Sequence, residues 1–320
     1  MTDEKNIPLP KGERHKPVLL NEILDIFALT EGAVVVDCNL GDGGHSEAII
    51  KKLNGNVHIL GFDLDNEAIE RTSHYLNSLT EKSFDSKILS KKSLKTGLTP
   101  IQANFSEMDV KLKEYGYGDN SVDAILFDLG LSTHDLISSG KGFTFKNDEP
   151  LLMTFGPANE YAFTASDIVN GWDEEDIANV IYAYGEEHAS RRIARMIVNY
   201  RKTKRIETSK ELADLISGGK HFKIHPATKT FQALRIAVNG ELEHLKTALQ
   251  KALITLKPGG KMAVISYHSL EDRIVKQFVK QWAKDEEVIE VTKKPTVPSP
   301  DEISINPRSR SAKLRVIIKK

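Results

Sequence analysis

The stretch Ala33 to Ile50, AVVVDCNLGDGGHSEAII, constrains the fold more than any other part of the chain. Its continuous run of β-branched residues reads as a strand buried on both faces, the habit of parallel sheets. The run breaks into a glycine-rich turn and resumes as a helix. The order then repeats, with NVHILGFDLD as a second buried strand and NEAIERTSHYLNSL as a second helix. Two such strand–helix pairs in succession predict an α/β fold with right-handed crossovers.

PIQANF and VDAILFDLGLS (Val122 to Ser132) supply third and fourth strands. Near the other end, ELEHLKTALQKALITLKPGG reads as a periodic helix stopped by Pro-Gly-Gly, feeding the fifth strand KMAVISYHS. Ahead of the first strand, VLLNEILDIFAL (Val18 to Leu29) has helical spacing, with Gly32 as its stop. Between the fourth and fifth strands lie helices without a strong strand signal: DEEDIANVIYAYG, EEHASRRIARMIVNYRK and TSKELADLISGG. The last opens on a capping box, Thr208 with Glu211. The chain therefore divides into an α/β domain over 1–135 and 237–320 and an inserted helical domain over 136–236. The Lys- and Ser-rich segment 81–99 reads as an excursion from the sheet.

The glycine turn restricts the cofactor. Gly41-Asp42-Gly43-Gly44-His45 lacks the G-x-G-x-x-G spacing with which a dinucleotide fold receives a pyrophosphate. Asp42 would also face phosphate charge, a repulsion of roughly 1–4 kcal/mol at ~4 Å. A cationic ligand without phosphate, such as S-adenosylmethionine, suits Asp37 and Asp42 better. Asp63, ending the second strand, then stands where an acid accepts ribose hydroxyls. Phe105 has two readings, a ring over the adenine face or a core side chain after the third strand. A tight turn with a surface acid and no ligand is the competing reading, and a nicotinamide-dependent oxidoreductase is the enzyme alternative. Asp128 follows the apolar run AILF directly, a placement that packing does not explain, since an unpaired buried charge is costly.

At 320 residues and 40% hydrophobic content the chain can bury one enlarged domain or two. It has no apolar run of the roughly 18 residues needed to cross a bilayer and no secretory leader, so no membrane role and a cytoplasmic location are expected. A single cysteine, Cys38, excludes an internal disulfide framework and reads as a buried inert thiol. No histidine pair has metal-ligand spacing, so no resident metal is expected. Net charge is −1, yet Glu186 to Arg235 carries twelve Lys and Arg against five Asp and Glu, and Arg308 to Lys320 carries six basic residues and no acid. Such segments suit a polyanion.

The blocks HKPVLLNEIL, NLGDGGHS, FDLD, FDLGLS, GFTF, YGEE, HPATKTFQALRIAVNGEL, LKPGGKMAVISYHSLEDRIVK and NPRSRSAKLRV together closely resemble the bacterial 16S rRNA (cytosine-N4)-methyltransferase family, RsmH or MraW. The resemblance runs from His15 to Val316. It implies a class I, Rossmann-like S-adenosylmethionine-dependent methyltransferase sheet with an inserted helical domain that helps recognise RNA. It implies methylation of the exocyclic amine of a cytidine in the decoding region of the small ribosomal subunit, with 16S rRNA or the subunit as partner. Oligomeric state is left open. Cofactor contacts carry over to Gly43, Gly44, His45, Asp63, Phe105 and Asp128, and to Asp135, which stands where the family usually has glutamine. Two further departures are Asn39 for a common threonine, and PLLMTF at Pro150 to Phe155 for Pro-Leu-Asp-Met-Arg-Met. The second removes an acid and a base together at Leu152 and Thr154, and motivates the alternative of a catalytically weak rRNA-binding relative.

For amine methylation the sequence offers Asp128 as the acceptor of the amine N–H, with cofactor binding as its competing role. His268 is a second candidate, balanced against helix initiation by a capping box at Ser269 to Asp272. His225 has a similar double reading. Arg192, Arg195, Lys229, Arg235, Arg308 and Arg310 are the expected RNA phosphate partners.

Overall fold

The computed structural model describes residues 16–81, 96–131, 139–220 and 224–320, with backbone alone at 80 and 81. The chain divides into two compact units, one formed by Met1–Gly130 with Lys246–Lys320 and the other by Leu131–Leu245.

In the first unit, helix α1 (Leu20–Phe27) precedes β1 (Ala33–Asp37), α2 (Gly44–Lys52), β2 (Val57–Asp63), α3 (Asn66–Glu81), β3 (Gly97–Gln102), α4 (Met108–Glu114) and β4 (Val122–Asp128). The strands form one seven-stranded sheet with β5 (Leu256–Ser266), β6 (Val288–Glu290) and β7 (Lys313–Lys319), in the order β3-β2-β1-β4-β5-β7-β6. Strands β1 to β5 pair in parallel, and β7 runs antiparallel to both β5 and β6. This is the predicted α/β sheet. The order reverses between β1 and β4, so their carboxyl ends frame the crevice where such sheets take ligands.

The central strands are buried on both faces because each is a nearly unbroken apolar run. Val35, Val36, Ile59, Leu60, Ile125 and Leu126 are all closed to solvent. Burying a side chain of this size stabilises by about 1.5–3 kcal/mol. Helix α1 covers one face with Ile23 and Phe27. It is shorter than Val18 to Leu29 because Leu19 and Ala28, at φ of 54° and 44°, are both left-handed and cap it.

Two expectations about the C-terminal part need correction. Pro-Gly-Gly does not stop a helix, because β5 already begins at Leu256, immediately after the last helical residue, Thr255. Those residues instead make a register slip, with Leu256 opposite Val122 and Lys261 opposite Ala124. The basic run at the end, expected to suit a polyanion along its length, is also partly interior. Its centre is β7, in which Leu314, Val316 and Ile317 are buried, and Arg315 is buried with Nε 2.7 Å from Asp272 Oδ1. Lys319 Nζ donates to Asn120 Oδ1 and to the Leu256 carbonyl. Helices α11 (Ser269–Lys284) and α12 (Pro300–Ile305) flank β6; they follow in number the helices of the second unit. Glu302 of α12 accepts the Leu19 N–H at 2.8 Å, and the Asn306 amide donates to the Lys16 carbonyl.

The second unit is helical among its described residues: α5 (Ala165–Gly171), α6 (Glu174–Gly185), α7 (Ser190–Arg201), α8 (Ser209–Ser217) and α9 (Thr228–Asn239). Helix α10 (Glu241–Thr255) begins here and continues past the boundary. The unit has its own core, built from Ile168, Ile181, Ile193, Ile197, Leu212 and Leu234 among others. It is wider than 136–236 at both ends because Leu131 packs on that core and Arg235 grips Glu241 with two hydrogen bonds of 2.8 Å. Helix α7 starts at Ser190 rather than Glu186, since Glu186 sits at φ 49° and closes α6. At Leu152 and Thr154 the loop is internally satisfied. Thr154 is buried and donates to the Gly156 carbonyl, and Lys141 Nζ donates to the Phe155 and Gly156 carbonyls. Among the described residues no helix is long and apolar enough to cross a membrane.

Candidate active site

Strand β1 ends in a buried acid. Asp37 Oδ2 accepts the Ser46 hydroxyl at 2.6 Å, and Oδ1 accepts the Asn39 N–H at 3.2 Å. Burial raises its carboxyl above the ordinary range, against the Ser46 hydrogen bond, the neighbouring His45 and the Asn39 N–H, and the charge of Asp128 adds to the rise. A cation beside Asp37 would relieve the cost of its burial. Next along, Asn39 Oδ1 is buried without a hydrogen-bond partner. Cys38, also buried, has its thiol pushed well up by desolvation, as an inert core thiol should.

The glycine turn is shaped by packing as much as by any ligand. Gly43 has φ +72°, and a Cβ there would come within 2.5 Å of Thr72 Cγ2 on α3. At Gly44, the first residue of α2, a Cβ would crowd the Pro17 ring at 3.2 Å. His45 is buried, and its Nε2 donates to the Val18 carbonyl at 3.0 Å. That bond turns Nδ1 toward Asp128, 3.7 Å from Oδ2. Asp42 is exposed.

At the end of β2, Asp63 accepts the Gly41 N–H on Oδ2 and the Asp65 N–H on Oδ1, which fixes its carboxylate plane. Past β3, Asn104 caps a single 3₁₀ turn at Phe105–Glu107, and the half-buried Phe105 ring stands edge-on to Phe127 at 5.7 Å. The parallel register brings these strand ends to one edge, so Asp37, Asp63, Phe105 and Asp128 are gathered as the sequence expects. Asp135 lies outside the described residues.

Asp128 ends β4, opposite Ile265 of β5. Two residues beyond Ile265, Tyr267 donates its hydroxyl to Asp128 Oδ1 at 2.7 Å. Burial, with the Asp128 charge and hydrogen bond behind it, pushes that hydroxyl well above the usual phenol range, so it stays a donor at neutral pH. Gly130 makes room for the ring, since a Cβ there would meet Tyr267 Cε2 at 2.8 Å. Sequence reasoning passed over Tyr267 in favour of its neighbour His268. The signal for it was position, since strand-end residues beside the switch point face the crevice.

His268 is the N-cap of α11, its Nδ1 accepting from the Glu271 N–H while the Glu271 carboxylate accepts the Tyr267 and His268 N–H groups. The expected box at Ser269 to Asp272 thus starts one residue earlier, because Asp272 is drawn to Arg315. His268 Nε2 stands 3.1 Å from Glu271 Oε1 but out of line, and is buried without a hydrogen bond. In the helical unit, His225 Nδ1 accepts the Ala227 N–H and its ring stacks on Phe145 at 4.4 Å.

The cationic candidates differ in exposure. Arg192, Arg195, Lys229, Arg308 and Arg310 are exposed, Arg195 beside Glu174 at 3.3 Å and Lys229 bonded to the Glu186 carbonyl. The Arg235 fork, by contrast, is already held by Glu241.

The model of the MraW methylase family matches residues 12–320. A ribosomal RNA small subunit methyltransferase H from Coprothermobacter proteolyticus is 42% identical over 307 residues, covering 95% of this chain and 96% of that protein. The protein of the same name from Dehalococcoides mccartyi is 43% identical, covering 94% of this chain and 85% of that protein. Among solved structures, an rRNA methylase from Streptococcus thermophilus aligns with a TM-score of 0.43 at 12% identity, covering 95% of this chain and 97% of that one. By the span of the family match and the identity of these relatives, the chain belongs to the MraW methylase family.

Proposed function

We propose that this protein methylates the N4 amine of a cytidine in the decoding region of 16S rRNA, in the cytoplasm, using S-adenosylmethionine, and that its helical unit recognises the RNA. The observation that carries the reading is the acceptor-lined edge at β1 and β4. Buried Asp37, Asp128 beside it and the unpaired Asn39 Oδ1 suit a ligand with ammonium and sulfonium groups and repel one with phosphates. Relatives named as ribosomal RNA small subunit methyltransferases support the substrate class.

S-adenosylmethionine supplies an electrophilic methyl carbon when bound; the rest falls to the chain. Asp37 and Asn39 are the partners for an amino-acid ammonium, Asp63 for ribose hydroxyls and Phe105 for the adenine face. Gly43, Gly44 and His45 set the turn against the cofactor, and Asp135 is its further contact. Asp128 accepts the amine N–H of the cytosine. Because Tyr267 occupies Oδ1, the amine is received on Oδ2. That hydrogen bond localises the nitrogen lone pair, and the proton the amine must lose once it carries the methyl group passes to the Asp128 carboxylate and on to solvent, with no covalent enzyme intermediate. His268 Nε2, which makes no hydrogen bond, is a second polar group for the base. Arg192, Arg195, Lys229, Arg308 and Arg310 bind RNA phosphates, whereas Arg235 is committed to Glu241.

The test incubates the protein with methyl-labelled cofactor and small-subunit RNA or particles, then digests to nucleosides. Label in N4-methylcytidine is expected. Label in another nucleoside, or none on any form of the substrate, overturns the reading.

A further inference from the structure

His45 is buried in the first turn of α2, and its ring has a direction. A carbonyl oxygen only accepts, so the 3.0 Å contact with Val18 places the single ring proton of the neutral imidazole on Nε2. Nδ1 then carries a lone pair, and it faces Asp128 Oδ2 at 3.7 Å. That is the oxygen left for the substrate amine, because Tyr267 occupies Oδ1. One carboxylate oxygen therefore meets both a group with a proton to lose and a group with room for one.

The other titratable groups around this edge are engaged. Tyr267 keeps its own proton, since burial, with the Asp128 charge behind it, pushes the hydroxyl well up. Both Asp37 oxygens already accept, one from Ser46 and one from the Asn39 N–H. Glu302 accepts the Leu19 N–H, one residue beyond Val18, and Glu271 accepts the Tyr267 and His268 N–H groups.

We propose that His45 takes up the proton lost by the substrate amine, by way of Asp128, before that proton reaches solvent. The step rests on the methylation reading. The amine lone pair forms the N–C bond and the C–S electron pair stays on sulfur, so the sulfonium charge passes to the amine. The amine gives its proton to Asp128 Oδ2, and Oδ2 hands it to His45 Nδ1. The positive charge that leaves sulfur is in this way kept at the acid-lined edge. Burial makes Asp37 reluctant to ionise, and a charge on His45 is among the influences that counter it. The N-terminus of α2 disfavours a cation, but with about half an elementary charge against the whole one on Asp128.

Imidazole NMR on ring-labelled protein, with the His45 signal assigned by through-bond correlation, tests this without RNA. At high pH the Nε2-protonated tautomer is expected. Proton affinity of the ring should be about tenfold or more higher in the complex with S-adenosylhomocysteine than with S-adenosylmethionine, the effect of one nearby charge. In methylation assays kcat should fall as pH drops through the midpoint that NMR gives for the S-adenosylmethionine complex, because a ring already protonated cannot accept. His45→Gln keeps a donor for Val18 and loses the basic nitrogen, so its kcat should be lower and lack that limb. The Nδ1-protonated tautomer, a ring that behaves alike in both complexes, or a limb that survives in His45→Gln would each overturn the relay. Should His45→Gln fail to fold, the comparison of the two complexes decides. Label in an adenine N6 amine would remove the cytidine reading and keep the relay, because either amine sheds a proton. N4-methylcytidine with equal midpoints would do the reverse, and no label in any nucleoside would overturn both.

Discussion

Asp37 carries a conflict between folding and ligand binding. Its folded-state pKa lies above the ordinary 3.8, so the carboxyl favours the fold below that value and gives up its contribution as pH rises through the folded pKa. Asp37→Asn keeps an acceptor for Ser46 and removes a buried charge. Thermal unfolding at pH 7 should therefore rise by about 2–4 °C, the equivalent of ~1 kcal/mol in a chain of this size, and the gain should vanish near pH 4. Isothermal titration should show weaker S-adenosylmethionine binding in the same variant; a variant both less stable and equally tight would refute the assignment. Tyr267→Phe tests the other acid. Removing the hydroxyl costs a charge-assisted bond of about 1.5–3 kcal/mol, so kcat should fall about tenfold or more with the cofactor Kd nearly unchanged. Gly130→Ala pushes the same ring from another side, and should reproduce the loss in kcat. Asp37, Asp63 and Asp128 were legible in the sequence because an acid directly after a buried apolar run has no packing explanation. Tyr267 was not, since its importance comes from Asp128 on another strand.

Strands β1 to β4 were legible for the same reason that they are buried: continuous apolar runs admit few other readings. Strand β7 was hidden by its cations. KLRVIIK reads as a charged tail until Arg315 is seen to face Asp272, and no local pattern announces a partner 43 residues away. Burial alone would raise the Asp272 carboxyl, but the Arg315 hydrogen bond and charge, with Lys313 behind them, outweigh it and hold it below the ordinary range. That contribution is present above the ordinary 3.8 and is lost as pH falls through the folded value. Arg315→Ala leaves a partly buried carboxylate with Lys313 alone, and should cost about 3 kcal/mol in urea unfolding at pH 7. The difference from the parent should shrink as the pH drops below about 4. A penalty independent of pH would mean that packing, rather than the ion pair, holds β7 to α11. The capping box on α11 was misread by one residue for a related reason: His268 and Ser269 both qualify as caps, and only the pull of Arg315 on Asp272 decides between them.

At the scale of the whole chain, a net charge of −1 conceals a division of labour among the cations. Arg235, Arg315 and Lys319 hold the fold together, whereas Arg192 and Arg310 stand in solvent. Replacing Arg308 and Arg310 by Ala should weaken RNA binding and reduce its salt slope by about two, without altering cofactor affinity. An unchanged RNA affinity across a salt series would dismiss both residues. The hydrogen bond from Leu19 to Glu302 has a consequence of another kind. It joins positions 283 residues apart, and the adjoining Val18 carbonyl orients His45 beside Asp128. Contacts of such separation form slowly, because chain closure must precede any reward. The sheet edge that carries Asp37 and Asp128 is thus among the last parts of the protein to assemble. After dilution from denaturant, helical signal should recover first, and a newly folded chain should pass through a stage that has its sheet but not yet its chemistry.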